Sequence, residues 1–163
     1  MYSRLLIPPA QKSFFLFGPR GTGKTTWVKS QFPKALYFDL LKAETYDYFF
    51  TNPTRIEKSI PDNFTDWIVI DEIQKVPELL NEVHRLIENK HYKFILTGSS
   101  ARKLRRGGVN LLAGRALIYN LHPLTAVELG NDFKLNECLQ FGGLPEVINA
   151  QDKQNYLNSY VQS

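Results

Sequence analysis

The chain is poor in cysteine and has no long apolar run. Cys138 is the single cysteine among 163 residues, so an intrachain disulfide is excluded, as is typical of reducing compartments. No stretch approaches the roughly 18 consecutive apolar residues that a membrane-spanning helix needs. The N-terminal apolar segment is interrupted by Pro8 and Pro9. These absences predict a soluble, cytoplasmic protein with no membrane association.

Acidic residues are missing from two segments, 1–38 and 89–127. These segments hold six and seven of the 20 Lys and Arg residues. If both segments pack around one site, that end of the protein is positive, which suits either a polyphosphate or a nucleic acid. The length and the 43% hydrophobic content indicate one compact domain with its own core.

A glycine-bearing loop at 18–26 organises the rest of the sequence. The loop follows the apolar run 14–17 and matches G-x-x-x-x-G-K-[ST] at every fixed position. Glycines in such a loop let consecutive backbone N–H groups converge on a phosphate, and the N-terminus of the following helix also favours an anion. We therefore predict a nucleotide-binding phosphate loop formed by Gly18, Gly21, Thr22, Gly23, Lys24, Thr25 and Thr26.

Four side chains have expected roles in phosphate chemistry. Lys24 is expected to contact the β- and γ-phosphates, and the Thr25 hydroxyl is expected to ligate Mg²⁺. Asp71 follows four apolar strand residues, and a carboxylate at such a position holds the Mg²⁺ shell opposite the threonine. Glu72 comes next and is placed to orient a water molecule that attacks the γ-phosphate, or to take its proton.

Two polar residues at strand ends have open alternatives. Thr97, at the end of the apolar segment 94–97, is expected to contact the γ-phosphate or the attacking water, with Ser99 as its substitute. Gln74 either senses the γ-phosphate or caps the following helix. The sequence does not distinguish these two roles of Gln74.

Arg115 is a candidate for stabilising transition-state charge. It follows Gly114 and comes directly before an apolar segment, and such an arginine acts within its own chain or, if copies of the chain assemble, in trans. The alternative is a surface arginine, or one that is paired with Asp132 or Glu128. Both alternatives remain open at this point.

Apolar segments alternate with helical patterns five times. This alternation predicts an α/β fold with a parallel sheet, right-handed crossovers and helices on both faces. Ligands in such sheets bind at the carboxyl ends of the strands, so we expect the phosphate loop, Asp71, Thr97 and Arg115 at or near that edge. Residues 1–132 are predicted to form the core and 133–163 a helical C-terminal segment. The predicted strands are 13–17, 35–40, 67–72, 94–97 and 116–121.

The joint pattern of motifs resembles the AAA+ superfamily of P-loop ATPases. More closely, the chain is similar to prokaryotic AAA-type ATPases that carry an additional C-terminal domain. The motifs follow in order through most of the chain: GPRGTGKTT at 18–26, IVIDEIQKVPEL at 68–79, FILTGSS at 94–100, LAGR at 112–115, LHPLTAVEL at 121–129 and GGLPEV at 142–147.

The resemblance implies Mg²⁺ and ATP as ligands and a three-layer α/β/α sandwich with a five-stranded sheet of order 5-1-4-3-2. It also implies a sensor hydroxyl near Thr97. AAA+ proteins usually continue into a helical lid that carries a second sensor arginine. Here the chain ends at Ser163, which predicts the ATPase core of a longer protein, with 133–163 as the start of a truncated lid or of the following domain.

Four functions remain in competition. The leading prediction is an ATPase core that couples its nucleotide state to a conformational change in a partner protein, a missing domain or further copies of the chain. The second is a nucleotide-gated binding module that binds ATP or ADP with negligible hydrolysis. The third is a small-molecule kinase, against which the Asp71-Glu72 pair and the inserted strand argue. The fourth is a DNA-associated ATPase that uses the basic segment 102–106, for which a solvated loop is the favoured interpretation.

Overall fold

Five parallel strands form a sheet in the computed structural model, which describes residues 2–106 and 112–162. The strand order along the sheet is β2-β3-β4-β1-β5, which confirms the predicted order 5-1-4-3-2. All four neighbouring pairs are parallel. The carboxyl ends of β1, β3 and β4 therefore meet at one edge of the sheet. The strands are β1 (Phe14–Phe17), β2 (Leu36–Asp39), β3 (Trp67–Asp71), β4 (Lys93–Gly98) and β5 (Leu117–Asn120).

Nine helices within the described residues connect and follow these strands. Between β1 and β5 they are α1 (Lys24–Gln31), α2 (Ala43–Thr51), α3 (Arg55–Lys58), α4 (Leu79–Lys90) and α5 (Ala101–Arg106). After β5 they are α6 (Ala126–Leu129), α7 (Leu135–Phe141), α8 (Pro145–Asn149) and α9 (Lys153–Gln162). None of the helices in residues 2–106 and 112–162 is long and apolar enough to cross a membrane.

The sheet has an apolar cluster on each face because neighbouring strand residues point to opposite sides. Phe14 and Leu16 of β1 belong to the cluster that includes Trp27 of α1. Phe15 and Phe17 belong to the cluster that contains the buried residues of α4. Burial of each such side chain stabilises the fold by roughly 1.5–3 kcal/mol. The α/β/α sandwich is therefore confirmed, with every residue of β1 buried.

Residues 101–106 form helix α5, where the sequence favoured a loop. The Ser100 hydroxyl accepts a hydrogen bond from the Arg102 N–H at 3.1 Å, as at a helix N-cap. Leu104 is 1% exposed and packs into the apolar core. The loop interpretation failed because one buried leucine fixes a segment whose composition is otherwise basic. The side chains of 103, 105 and 106 lie outside the described part of the chain.

Hydrogen bonds join the C-terminal segment to the core at Gly143 and at Tyr160. The Leu124 N–H donates to the Gly143 carbonyl at 2.7 Å, and a Cβ atom on Gly143 would clash with the Leu124 carbonyl oxygen. The Tyr160 hydroxyl of α9 donates to the Arg20 carbonyl at 3.0 Å. The second contact places α9 beside the loop that follows β1. The division of the chain at residue 132 stays a prediction.

Candidate functional site

The loop between β1 and α1 is built by close backbone approach and left-handed glycines. Gly21 and Gly23 have φ of +78° and +86°, a region that glycine adopts without the steric cost of a Cβ atom. A Cβ atom on Gly18 would overlap the Leu121 carbonyl oxygen. The Gly18 N–H donates to the Gly98 carbonyl at 3.3 Å. These constraints bring the loop to the carboxyl ends of β1 and β4, where phosphate binding was predicted.

Lys24 lies inside this loop. Its side chain is buried, and its Nζ donates to the Gly18 carbonyl at 2.8 Å and to the Pro19 carbonyl at 3.1 Å. Burial lowers the pKa of Lys24, and the Glu72 and Asp71 carboxylates partly offset this effect. The Lys24 ammonium is thus held against the loop by two of the loop's own carbonyl groups.

The other loop threonines occupy distinct positions. Thr22 is fully buried, and its hydroxyl donates to the Pro19 carbonyl at 2.9 Å, so this side chain braces the loop from within. Thr26, with Gly23, lines a neighbouring cavity. Thr25 instead faces β3, where its hydroxyl donates to the Asp71 Oδ2 at 3.0 Å.

Asp71 accepts hydrogen bonds from three hydroxyl groups. Thr25 and Tyr37 both donate to Oδ2, and Thr97 donates to Oδ1. The Thr97 oxygen in turn accepts the Glu72 N–H at 3.1 Å. The Asp71 carboxylate is therefore buried and hydrogen-bonded through both oxygens at the ends of β3 and β4. The structure brings together Thr25, Asp71, Glu72 and Thr97, which the sequence named separately.

Tyr37 was missed at the sequence level. It lies on β2 opposite Val69, two residues before the Asp39 position that is in register with Asp71. Burial raises the pKa of Tyr37, and its hydrogen bond to the Asp71 carboxylate raises it further, so the phenol remains a donor at neutral pH. A tyrosine two residues before the end of the neighbouring strand is the signal that could have identified it.

The Thr25 and Asp71 oxygens fit a magnesium ion. Among residues 2–106 and 112–162, no group of three His, Cys, Asp or Glu side chains is placed to hold a metal. Mg²⁺ does not need such a group, because it usually combines one or two carboxylates with substrate phosphates and water. A hydroxyl and a carboxylate 3.0 Å apart beside the phosphate loop supply the hard oxygen ligands that it prefers.

Glu72 has an unusual backbone conformation. Its φ of 60° and ψ of 47° lie in the left-handed region, which is uncommon for residues other than glycine and marks functional sites more often than other positions. The Gln74 side-chain amide donates to the Glu72 carboxylate. Gln74 Oε1 and Ser99 Oγ are buried without a hydrogen-bond partner among the described residues. These two oxygen atoms, at the same edge of the sheet as Asp71, are available to hydrogen-bond a bound ligand or water.

Arg115 does not lie at the predicted edge, so the expectation of its placement was wrong. It comes before β5, and Leu117 is in register with Phe14 at the start of β1, so Arg115 is at the amino ends of the strands. Its guanidinium pairs with Glu88, rather than with Asp132 or Glu128. This position does not bring Arg115 to the phosphate loop of its own chain, and a role in trans stays a prediction.

Arg4 is a second residue that sequence reasoning missed. Its guanidinium pairs with Glu128 at 3.0 Å, donates to the Thr22 carbonyl at 3.0 Å and donates to the His122 carbonyl. Both side chains of the ion pair are less than 10% exposed. The Glu128 carboxylate also completes a capping box with Thr125. Arg4 therefore ties the N-terminal segment, the phosphate loop and the start of α6 into one network.

Arg4→Met is expected to lower the free energy of unfolding by about 3–5 kcal/mol, because it leaves a buried carboxylate without its cation. Urea denaturation at pH 7 measures the loss. Lys12→Met, at an exposed lysine, is the matched control and should change stability by less than about 0.5 kcal/mol. A loss below about 1 kcal/mol for Arg4→Met would contradict the expectation.

The same network predicts acid sensitivity. Burial raises the pKa of Glu128, but hydrogen bonds from the Thr125 and Leu5 N–H groups and the charge of Arg4 together lower it below its ordinary 4.5. A carboxyl group whose pKa is lower in the folded than in the unfolded protein stabilises the fold at pH values above its ordinary pKa. This stabilisation is lost as the pH falls through the folded-state pKa. The stability difference between wild type and Arg4→Met should therefore narrow below about pH 4.5.

A large cavity adjoins the phosphate loop on the α1 side. Its volume is about 940 Å³, which lies within the range of small-molecule sites. The N-terminal segment, the loop, α1 and the C-terminal helices all contribute to its lining, as represented by Tyr2, Thr22, Trp27, Asp132 and Asn149. The cavity is large enough for a nucleoside whose phosphates extend into the loop.

Comparison with known proteins identifies one domain family. Residues 10–130 match the family described as the AAA domain. The matched range contains the phosphate loop, the Asp71-Glu72 pair and Thr97. No curated protein matches the chain.

Proposed function

Because the chain belongs to the AAA domain family, a nucleotide-binding module, we propose that it binds Mg²⁺-ATP and hydrolyses it to ADP and phosphate. The observation that carries the proposal is the convergence of Thr25, Asp71, Thr97 and Glu72 beside Lys24 at one edge of the sheet. A phosphate cradle alone would support binding. A carboxylate that is placed beside it supports hydrolysis.

In the proposed reaction, each residue has one task. The loop N–H groups and Lys24 would hold the β- and γ-phosphates, and Thr25 with Asp71 would hold Mg²⁺, which when bound would supply positive charge against the charge that develops on the phosphates. Thr97, whose hydroxyl donates to Asp71 and accepts the Glu72 N–H, would orient the attacking water through its remaining lone pair. Glu72 accepts a proton as the water oxygen bonds to the γ-phosphorus and the bond to the ADP oxygen breaks.

Nucleotide state is proposed to reach the C-terminal helices through the loop. Tyr160 of α9 hydrogen-bonds to the Arg20 carbonyl. The Tyr156 hydroxyl lies 3.8 Å from the position that a Cβ atom would occupy if Gly21 carried a side chain. A loop that rearranges around phosphates would change these contacts. The coupling to a partner protein or to further copies of the chain is proposed to run along this route.

Product analysis tests the proposed reaction. Incubation with Mg²⁺-ATP should release ADP and inorganic phosphate in equal amounts, and EDTA or Asp71→Asn should prevent the release. ADP formed without free phosphate, in the presence of small-molecule acceptors, would instead identify a kinase. No ADP above the level of Asp71→Asn would overturn the hydrolysis proposal.

A nucleotide-gated binding module is the second candidate. One observation favours it: the Gln74 amide already donates to one oxygen of the Glu72 carboxylate, and that oxygen is then less available to receive a proton during hydrolysis. In such a module ATP binds with Mg²⁺ and changes the C-terminal contacts, but is released intact. Mg²⁺-dependent binding without ADP formation would support this candidate over the first.

A further inference from the structure

Tyr37 reaches the metal-binding edge from a strand that the phosphate-loop motifs do not include. It lies on β2, its side chain packs on the α1 face of the sheet, and its hydroxyl donates to the Asp71 Oδ2. The Thr25 hydroxyl donates to the same oxygen, and Thr97 donates to Oδ1. Both oxygens of the carboxylate are therefore fixed, each by a hydroxyl from another element.

The Tyr37 ring is itself held by α1. Lys29 Nζ lies 5.0 Å from the centroid of the ring, within the range of a cation–π contact. Lys29 follows Thr25 by four residues, so both side chains project from the same face of α1. One helix face thus contacts both the ring of Tyr37 and the carboxylate that its hydroxyl orients.

We propose that Tyr37 is a positioning residue for the magnesium site, whose hydroxyl holds Asp71 in the orientation that supports the metal shell. The inference rests on the proposed binding of Mg²⁺-ATP. The physical basis of the inference is that a hydroxyl group can donate one hydrogen bond and accept two. Thr25 can donate to Asp71 and ligate Mg²⁺ at the same time only while the carboxylate stays in place.

Removal of the Tyr37 hydroxyl leaves Oδ2 with Thr25 alone. The carboxylate then keeps one donor on each oxygen, Thr25 on Oδ2 and Thr97 on Oδ1, and its orientation is less restricted than with three donors. Groups that orient a metal ligand typically contribute 10–100-fold in metal affinity. A purely structural role for Tyr37 would instead affect folding and nucleotide binding to the same extent with and without metal.

Tyr37→Phe tests the inference, since it keeps the ring and its contact with Lys29 and removes only the hydroxyl. ATP binding is measured by calorimetry with EDTA and across a Mg²⁺ titration. The affinity for ATP in EDTA should stay within about twofold of wild type. The Mg²⁺ concentration that gives half-maximal enhancement of binding should rise by about 10-fold or more.

Two further variants complete the experiment. Tyr119→Phe changes another half-buried tyrosine on the same face of the sheet, where its ring packs edge-on against Phe14, and should leave the Mg²⁺ requirement unchanged. Asp71→Asn gives the reference for a lost metal ligand. An unchanged Mg²⁺ requirement in Tyr37→Phe, or an equal loss of affinity with and without metal, would overturn the positioning role. Absence of ATP binding by wild type would overturn the proposed function together with the inference.

Discussion

Lys24→Ala is expected to abolish the thermal stabilisation that Mg²⁺-ATP gives to the wild-type protein. A ligand at 100 times its Kd adds about 2.7 kcal/mol to the free energy of unfolding, which corresponds to roughly 5–11 °C in Tm for a chain of this size. Lys24 is the cation inside the loop, so its loss removes the charge that faces the phosphates.

The experiment compares shifts and not absolute Tm values, because Lys24 is buried and its truncation also changes the stability of the free protein. Lys24→Met, which keeps most of the aliphatic chain, separates the loss of charge from the loss of packing. Lys34→Ala, at an exposed lysine beyond α1, should retain the full shift. A shift in Lys24→Ala equal to that of wild type would refute phosphate binding by the loop.

Glu72→Gln is expected to reduce the rate of ATP hydrolysis by about 10²–10⁴-fold, the usual contribution of a positioned general base. Glutamine keeps the size of the side chain, tolerates the same left-handed backbone to a similar degree, and still offers an oxygen to the Gln74 amide. ATP affinity should therefore stay unchanged while turnover falls. Steady-state phosphate release and equilibrium binding, measured on the same preparation, separate the two effects.

Glu78→Gln is the matched control for this substitution. It makes the same change in charge at an exposed glutamate just before α4 and should leave turnover within about twofold of wild type. Equal and substantial rates in wild type and Glu72→Gln would remove Glu72 from the reaction. Equal rates near background would favour the nucleotide-gated binding module.

The sequence was most informative where function imposes residue types at fixed spacing. The phosphate-loop motif fixes the glycines, Lys24 and Thr25 within one local turn, and the alternation of strands and helices fixes the parallel sheet. Asp71 and Thr97 could be related to the loop because parallel strands bring their carboxyl ends together. The confirmed strand order came from the resemblance, since local patterns do not state which strands are neighbours.

The residues that the sequence did not reveal act through long-range contacts. Tyr37 reaches Asp71 only because β2 pairs with β3 in one particular register. Arg4 meets Glu128 across most of the length of the chain. Arg115 was misplaced because its neighbouring strand was identified without regard to which end of that strand it precedes. Helix α5 was missed because its basic composition outweighed its one core leucine.

The internal hydrogen bonds of Lys24 have a consequence for nucleotide discrimination. Its ammonium is bonded to the Gly18 and Pro19 carbonyls, so the proposed phosphate binding by Lys24 would be an exchange of partners. The free energy gained at Lys24 would be the difference between its hydrogen bonds to the phosphates and its hydrogen bonds to the two carbonyls. A nucleoside monophosphate has no β- or γ-phosphate oxygens that could replace the two carbonyl partners of Lys24. Under the proposed function, selection for the length of the phosphate chain would then depend on the balance of partners at this one side chain.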